Sequence, residues 1–120
     1  MVLRIFVTDV DRSVAFYEAV LGCTTIERWG PAFAMLEYDR GQIWISGPGT
    51  SAANAVSVTG ASPSPGGWNR LVACVEDNDA VAAHAVERGG KIRCEKVSGP
   101  GGSQILIEDP DGNPIELFVG

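Results

Sequence analysis

Residues 2–7, Val-Leu-Arg-Ile-Phe-Val, are β-branched, aromatic and aliphatic apart from Arg4, and this composition predicts a strand. Thr8-Asp9-Val10-Asp11 then supplies a turn and a helix cap. From residue 12 to 20 the apolar side chains change period. Val14, Phe16, Tyr17, Val20 and Leu21 recur at three- and four-residue spacing, which predicts a helix, and Gly22 stands where helices commonly stop. Strands follow at 24–28, 33–38 and 42–46, with Asp39-Arg40-Gly41 as the tight turn between the last two.

Residues 47–67 are rich in Gly, Ala, Ser and Pro and read as a long connection containing one short strand at 55–58. Beyond it the same grammar returns. A strand at 69–75 leads to a helix capped by Glu76-Asp77-Asn78-Asp79, running to about Arg88 and ended by Gly89-Gly90. Strands at 91–97, 104–108 and 114–119 complete the second half, with Asp109-Pro110-Asp111-Gly112-Asn113 as a hairpin turn. The order β-α-β-β-β therefore occurs twice, and Val7 to Val75 and Gly22 to Gly90 are each 68 positions apart. The expectation is an α+β fold of two βαβββ modules in one domain: module one at 1–46, a linker at 47–67 and module two at 68–120. Two such modules would bury one sheet face together and carry their helices outside.

Composition narrows the function classes. The 120 residues carry a formal net charge of -6, which repels phosphate backbones, makes nucleic acid a poor partner and favours cationic small molecules. No apolar run approaches the length that crosses a bilayer, and the N-terminus shows no signal segment, so a cytoplasmic protein without a membrane partner is expected. Cys23, Cys74 and Cys94 are odd in number and lack CxxC spacing, so they read as reduced thiols, with Cys74 a small buried hydrophobe inside the apolar run 71–75.

Two phrases make a family resemblance specific. The segment from Val7 through Asp9, Asp11, Phe16 and Tyr17 to Gly22 resembles one signature of the vicinal oxygen chelate proteins, the glyoxalase/bleomycin-resistance/dioxygenase group. Glu108-Asp109-Pro110-Asp111-Gly112-Asn113-Pro114-Ile115-Glu116-Leu117-Phe118 resembles the other. The likeness spans essentially the whole chain. It implies curved mixed sheets forming a half-barrel or barrel around a small-molecule cavity, commonly completed by a homodimer.

The resemblance also implies metal ligands from the first and last strands of each module, and these can be checked singly. Seven residues before the capping Asp9 stands Val2, which has no donor atom; the same step back from Asp77 reaches Arg70, whose guanidinium repels a cation. Trp44 falls near the expected glutamate of module one, and Glu116 alone matches the ligand pattern. No metal or other cofactor is expected. Arg70 and Glu116 are expected to form an ion pair, which either serves a ligand or neutralises charges left after loss of a metal.

Strand alternation adds Arg4, Phe6, Gln42, Ser46, Val72, Cys74 and Phe118 to the face that carries Val2, Trp44, Arg70 and Glu116. Arg4, Phe6, Trp44, Arg70, Cys74, Glu116 and Phe118 are the candidate ligand-binding residues, with Trp29 and Trp68 as further aromatics at loop edges. The Ser98–Gln104 stretch reads as a hairpin or a lid, and the sole histidine, His84, as an outer-face residue. Two functional readings follow. The first is a small-molecule binder without the metal triad. The second is an enzyme of lyase, isomerase or dioxygenase type, metal-dependent or metal-free, in which Glu116 and Arg70 are catalytic.

Overall fold

A computed structural model describes all residues 1–120, which divide into two compact units, Met1–Pro65 and Gly66–Gly120. The first holds β1 (Val2–Phe6), α1 (Val10–Leu21), β2 (Thr24–Trp29), β3 (Phe33–Tyr38) and β4 (Gly41–Ser46). The second holds β5 (Leu71–Cys74), α2 (Asn78–Glu87), β6 (Lys91–Gly99), β7 (Gly102–Glu108) and β8 (Pro114–Val119). Each forms one open four-stranded mixed sheet, ordered β1-β4-β3-β2 and β5-β8-β7-β6, with the first pair parallel and the others antiparallel. The βαβββ module is thus written twice with one topology.

The repeat extends to the helix starts. Asp9 and Asp77, 68 positions apart, both cap from extended backbone, and their side chains accept from Arg12 N and Ala80 N at 3.1 and 3.0 Å. Gly22 ends α1 in the left-handed region (φ 68°), its N–H donating back to Glu18 O, as its place after the last apolar residue predicts. The Tyr38–Gly41 pairing leaves Asp39-Arg40 as a two-residue hairpin loop, with Asp39 at φ 53°.

One face of each sheet is covered by its own helix. In the first unit Val10, Val14, Tyr17 and Val20 of α1 are buried, as are Ala34, Leu36, Ile43 and Ile45 of the strands beneath. Each large side chain so buried contributes about 1.5–3 kcal/mol. In the second unit the helix presents Ala82 and Ala85, and the bulk comes from Ile105, Ile107, Ile115 and Leu117 of the sheet.

Two expectations change. Residues 55–58 form no strand: Ser57 N donates to Ala61 O at 2.8 Å and Ala61 N to Ser57 Oγ at 2.9 Å, so Ser57 closes a local turn instead of joining a sheet. The strand expected at 69–75 is shorter, leaving Arg70 one residue ahead of β5. The glycine-rich stretch takes the hairpin form of its two expected readings: Ser98 and Gly99 pair with Ser103 and Gly102 at the tip of the β6–β7 hairpin. No helix is long and apolar enough to cross a membrane.

Candidate functional site

The uncovered face of the second sheet carries its polar chemistry. Pairing registers Val72 with Glu116 and Cys74 with Phe118 across β5–β8, and Leu106 with Glu116 and Gln104 with Phe118 across β7–β8, so all these side chains share one face. Arg70, just ahead of β5, donates to Glu116 Oε1 from Nε at 3.1 Å and from Nη2 at 2.9 Å. With its amide nitrogen turned toward the acid, Gln104 donates to Oε2 at 2.9 Å and to Oε1 at 3.1 Å. The Glu116 side chain is only 12% exposed against 30% for Arg70, so three donors converge on a mostly buried carboxylate. Beside it, Gln104, Phe118, Val97 and Ser103 line a cavity of about 220 Å³ under the β6–β7 hairpin.

The corresponding face of the first sheet is aromatic. Register sets Arg4 opposite Trp44, Phe6 and Phe33 opposite Ser46, Met35 opposite Trp44 and Trp29 opposite Phe33. A cavity of about 360 Å³ opens there, lined by Arg4, Trp29, Phe33, Met35 and Trp44, with Thr50 and Ser51 from the segment after β4. The rings stand in a row: Trp29 is 5.3 Å from Phe33, and Phe33 is 5.9 Å edge-on from Trp44. The guanidinium of Arg4 lies 5.2 Å from the Trp44 ring and 5.8 Å from the Phe33 ring, and Nη1 donates to Ser46 Oγ at 2.8 Å. Trp44 Nε1 donates to Gln42 Oε1 at 2.8 Å, fixing the indole plane.

The model of the Glyoxalase/Bleomycin resistance protein/Dioxygenase superfamily matches residues 2–117. The chain belongs to this superfamily. Among solved structures, a glyoxalase/bleomycin resistance protein/dioxygenase family enzyme from Burkholderia phytofirmans PsJN superposes with a TM-score of 0.82 at 22% identity, over 98% of this chain and 95% of that one. A glyoxalase-related enzyme from Fulvimarina pelagi gives 0.81 at 20% identity over 99% and 86%. Lactoylglutathione lyase from Agrobacterium tumefaciens gives 0.70 at 19% identity over 100% and 92%. These identities establish the glyoxalase fold and nothing finer. Among curated proteins none matches the sequence.

The donor set does not fit the metal that the superfamily resemblance implies. Val2, Trp44 and Arg70 occupy three of the four expected ligand positions and offer no carboxylate or imidazole, and no three His, Cys, Asp or Glu side chains come together anywhere in the chain. Glu116, the one matching ligand, already accepts from Arg70 and Gln104. His84 lies in the last turn of α2, half-exposed, with Nδ1 3.6 Å from Glu87 Oε2.

One expected placement is corrected. Cys74 is exposed, not buried: in phase with Arg70 and Glu116 it sits on the uncovered face, whereas its neighbour Ala73 takes the core side at 0% exposure. Trp68, just ahead of Arg70, has its ring stacked on Arg93 at 4.7 Å. Arg93 itself donates to Glu108 Oε2 at 2.8 Å, to Gly67 O at 2.6 Å and to Gly112 O at 2.9 Å, clamping the end of the linker to the 109–113 turn. Within that turn Asp109, 2% exposed, accepts from the backbone of Asp111 and Asn113 and from Asn113 Nδ2, all at 2.9 Å. Reading the signature only as a turn missed this role, although an Asp placed to cap its own loop is the available signal.

Gln104 and Phe33 were also missed as site residues. Both lie in strands expected from sequence, and extending the period-two phase from Phe118 and Ser46 across their hydrogen-bonded neighbours would have found them.

Proposed function

We propose that this protein binds a small organic molecule on the sheet faces its helices leave uncovered, without a metal triad. The reading is carried by one observation: where the superfamily resemblance calls for metal ligands, the chain holds a guanidinium hydrogen-bonded to a mostly buried carboxylate. Arg4, Phe6, Trp44, Arg70, Cys74, Glu116 and Phe118 are the proposed contact residues. Arg70 donates to a carbonyl or carboxylate of the ligand, Glu116 accepts, and the aromatic residues stack. A homodimer is proposed as the working form, and the cytoplasm as its location, because three unpaired thiols suit a reducing compartment.

A thermal-shift screen of small organic compounds tests the reading. A hit on the wild-type protein that weakens about tenfold or more in Arg70→Met, which removes charge-assisted hydrogen bonds, is the expected result. Absence of any hit, or hits indifferent to Arg70 and to Glu116→Gln, overturns it.

The enzyme reading keeps one support, a carboxylate and a guanidinium in direct contact, as proton acceptor and electrophile. Turnover of a bound compound that Glu116→Gln abolishes in a folded protein would establish it.

A further inference from the structure

The aromatic cavity of the first unit has a charge imbalance. Among its nine lining residues Arg4 is the only ionisable one. Its guanidinium meets Ser46 Oγ and two ring faces, and its remaining N–H groups have no acceptor in the chain. Glu27 shares this sheet face through its pairing with Met35, but its contact is with Trp29, whose Nε1 donates to Oε1 at 2.9 Å, and it makes no ion pair with Arg4. Arg93 shows the contrast. It also stacks on an indole, but it is matched by Glu108 and two carbonyls.

A cation between aromatic rings with free donors is complementary to a flat ring bearing an anion. The ring lies in the row Trp29, Phe33, Trp44, and the anion takes the open edge of the guanidinium in a bidentate pair. Thr50 and Ser51 add hydroxyls at the rim. A volume of about 360 Å³ holds a ligand of two fused rings with its acid group. The net charge of -6 does not oppose this, since exposed charges beyond about 8 Å are largely screened at physiological salt and the local cation decides. We infer that the cavity built by Arg4, Trp29, Phe33 and Trp44 is a subsite for a planar aromatic carboxylate. The inference rests on the small-molecule reading above and deepens it by naming a ligand class.

The test uses three isosteric probes on the full chain: 2-naphthoate, 2-naphthalenemethanol and 2-naphthylmethylamine, titrated by calorimetry. The acid is expected to bind about tenfold or more tightly than the other two, with Arg4→Gln removing that preference so that acid and alcohol bind alike. Trp29→Ala, at a side chain 59% exposed and safe for folding, is expected to weaken all ring binding. The chain's three indoles locate the site: 2-naphthoate is expected to shift the Trp29 and Trp44 side-chain N–H signals and leave Trp68 in place. Amine or alcohol binding as tight as the acid overturns the inference while leaving small-molecule binding intact, as does a hit from the thermal-shift screen that depends on Arg70 but not Arg4. Indole shifts that follow protein concentration instead of ligand overturn it in favour of a second copy of the chain.

Discussion

Cys23, Cys74 and Cys94 are three thiols in two environments, and their chemistry separates accordingly. Cys23 is buried beside the end of α1, where desolvation, then the nearby Glu18 carboxylate, push its pKa from 9.0 up to about 12. Cys74 and Cys94 are exposed. A thiol-alkylating reagent is expected to modify Cys74 and Cys94 in the native protein and spare Cys23, read by peptide mass mapping; labelling of Cys23 at the same rate would contradict its burial. The pH dependence follows in sign. Because the folded thiol holds its proton to a higher pH than the unfolded one, this contribution to stability is complete below about 9 and is lost as pH rises from about 9 towards 12. Denaturant titrations of wild type and Cys23→Ala across that window should show the loss only in wild type. The apolar run 71–75 suggested a small buried thiol at Cys74. That reading misjudged Cys74 because phase along a four-residue strand, not apolar company, decides which face a side chain takes.

Helices and strands were the most legible level. The change from period two to three-and-four spacing, the capping Asp9 and Asp77, and Gly22 each state a local preference that the fold obeys, since local preference and core burial agree there. What failed were segments whose partners decide. Residues 55–58 have the apolar Val56 and Val58 but no neighbouring strand, and both side chains are exposed. The 98–104 stretch, by contrast, forms the hairpin that one of its two readings expected, through pairing of Ser98 and Gly99 with Ser103 and Gly102. Gly102 fixes that hairpin: at φ 141°, a Cβ there would stand 2.0 Å from Val119 O and 2.9 Å from Gly120 Cα. Gly102→Ala is expected to destabilise the second unit by about 2–4 kcal/mol, well beyond an ordinary glycine replacement. The urea midpoint measures it, and a change under about 0.5 kcal/mol, the size of a surface substitution, would contradict the close approach.

At the scale of the whole molecule, the duplicated βαβββ module gives each half a helix-covered face and an uncovered one, and the two uncovered faces differ in chemistry. The first sheet concentrates rings around an unmatched Arg4, the second a matched Arg70–Glu116 pair joined by Gln104. The sequence placed Arg4, Trp44, Arg70 and Glu116 on these faces because alternation needs only a strand and one anchor. It could not show that Glu116 receives three donors, since that depends on rotamers of side chains contributed by separate strands. The likeness to superfamily enzymes speaks to fold, and function follows from the residues that occupy it. The proposed function has a guanidinium–carboxylate pair where a metal would stand, in a protein that binds small organic molecules. Calorimetric titration of a screened ligand before and after exhaustive chelation, with elemental analysis of both samples, tests it most directly. Unchanged affinity and no stoichiometric divalent ion in either sample are expected; a stoichiometric ion whose removal abolishes binding would contradict the metal-free reading.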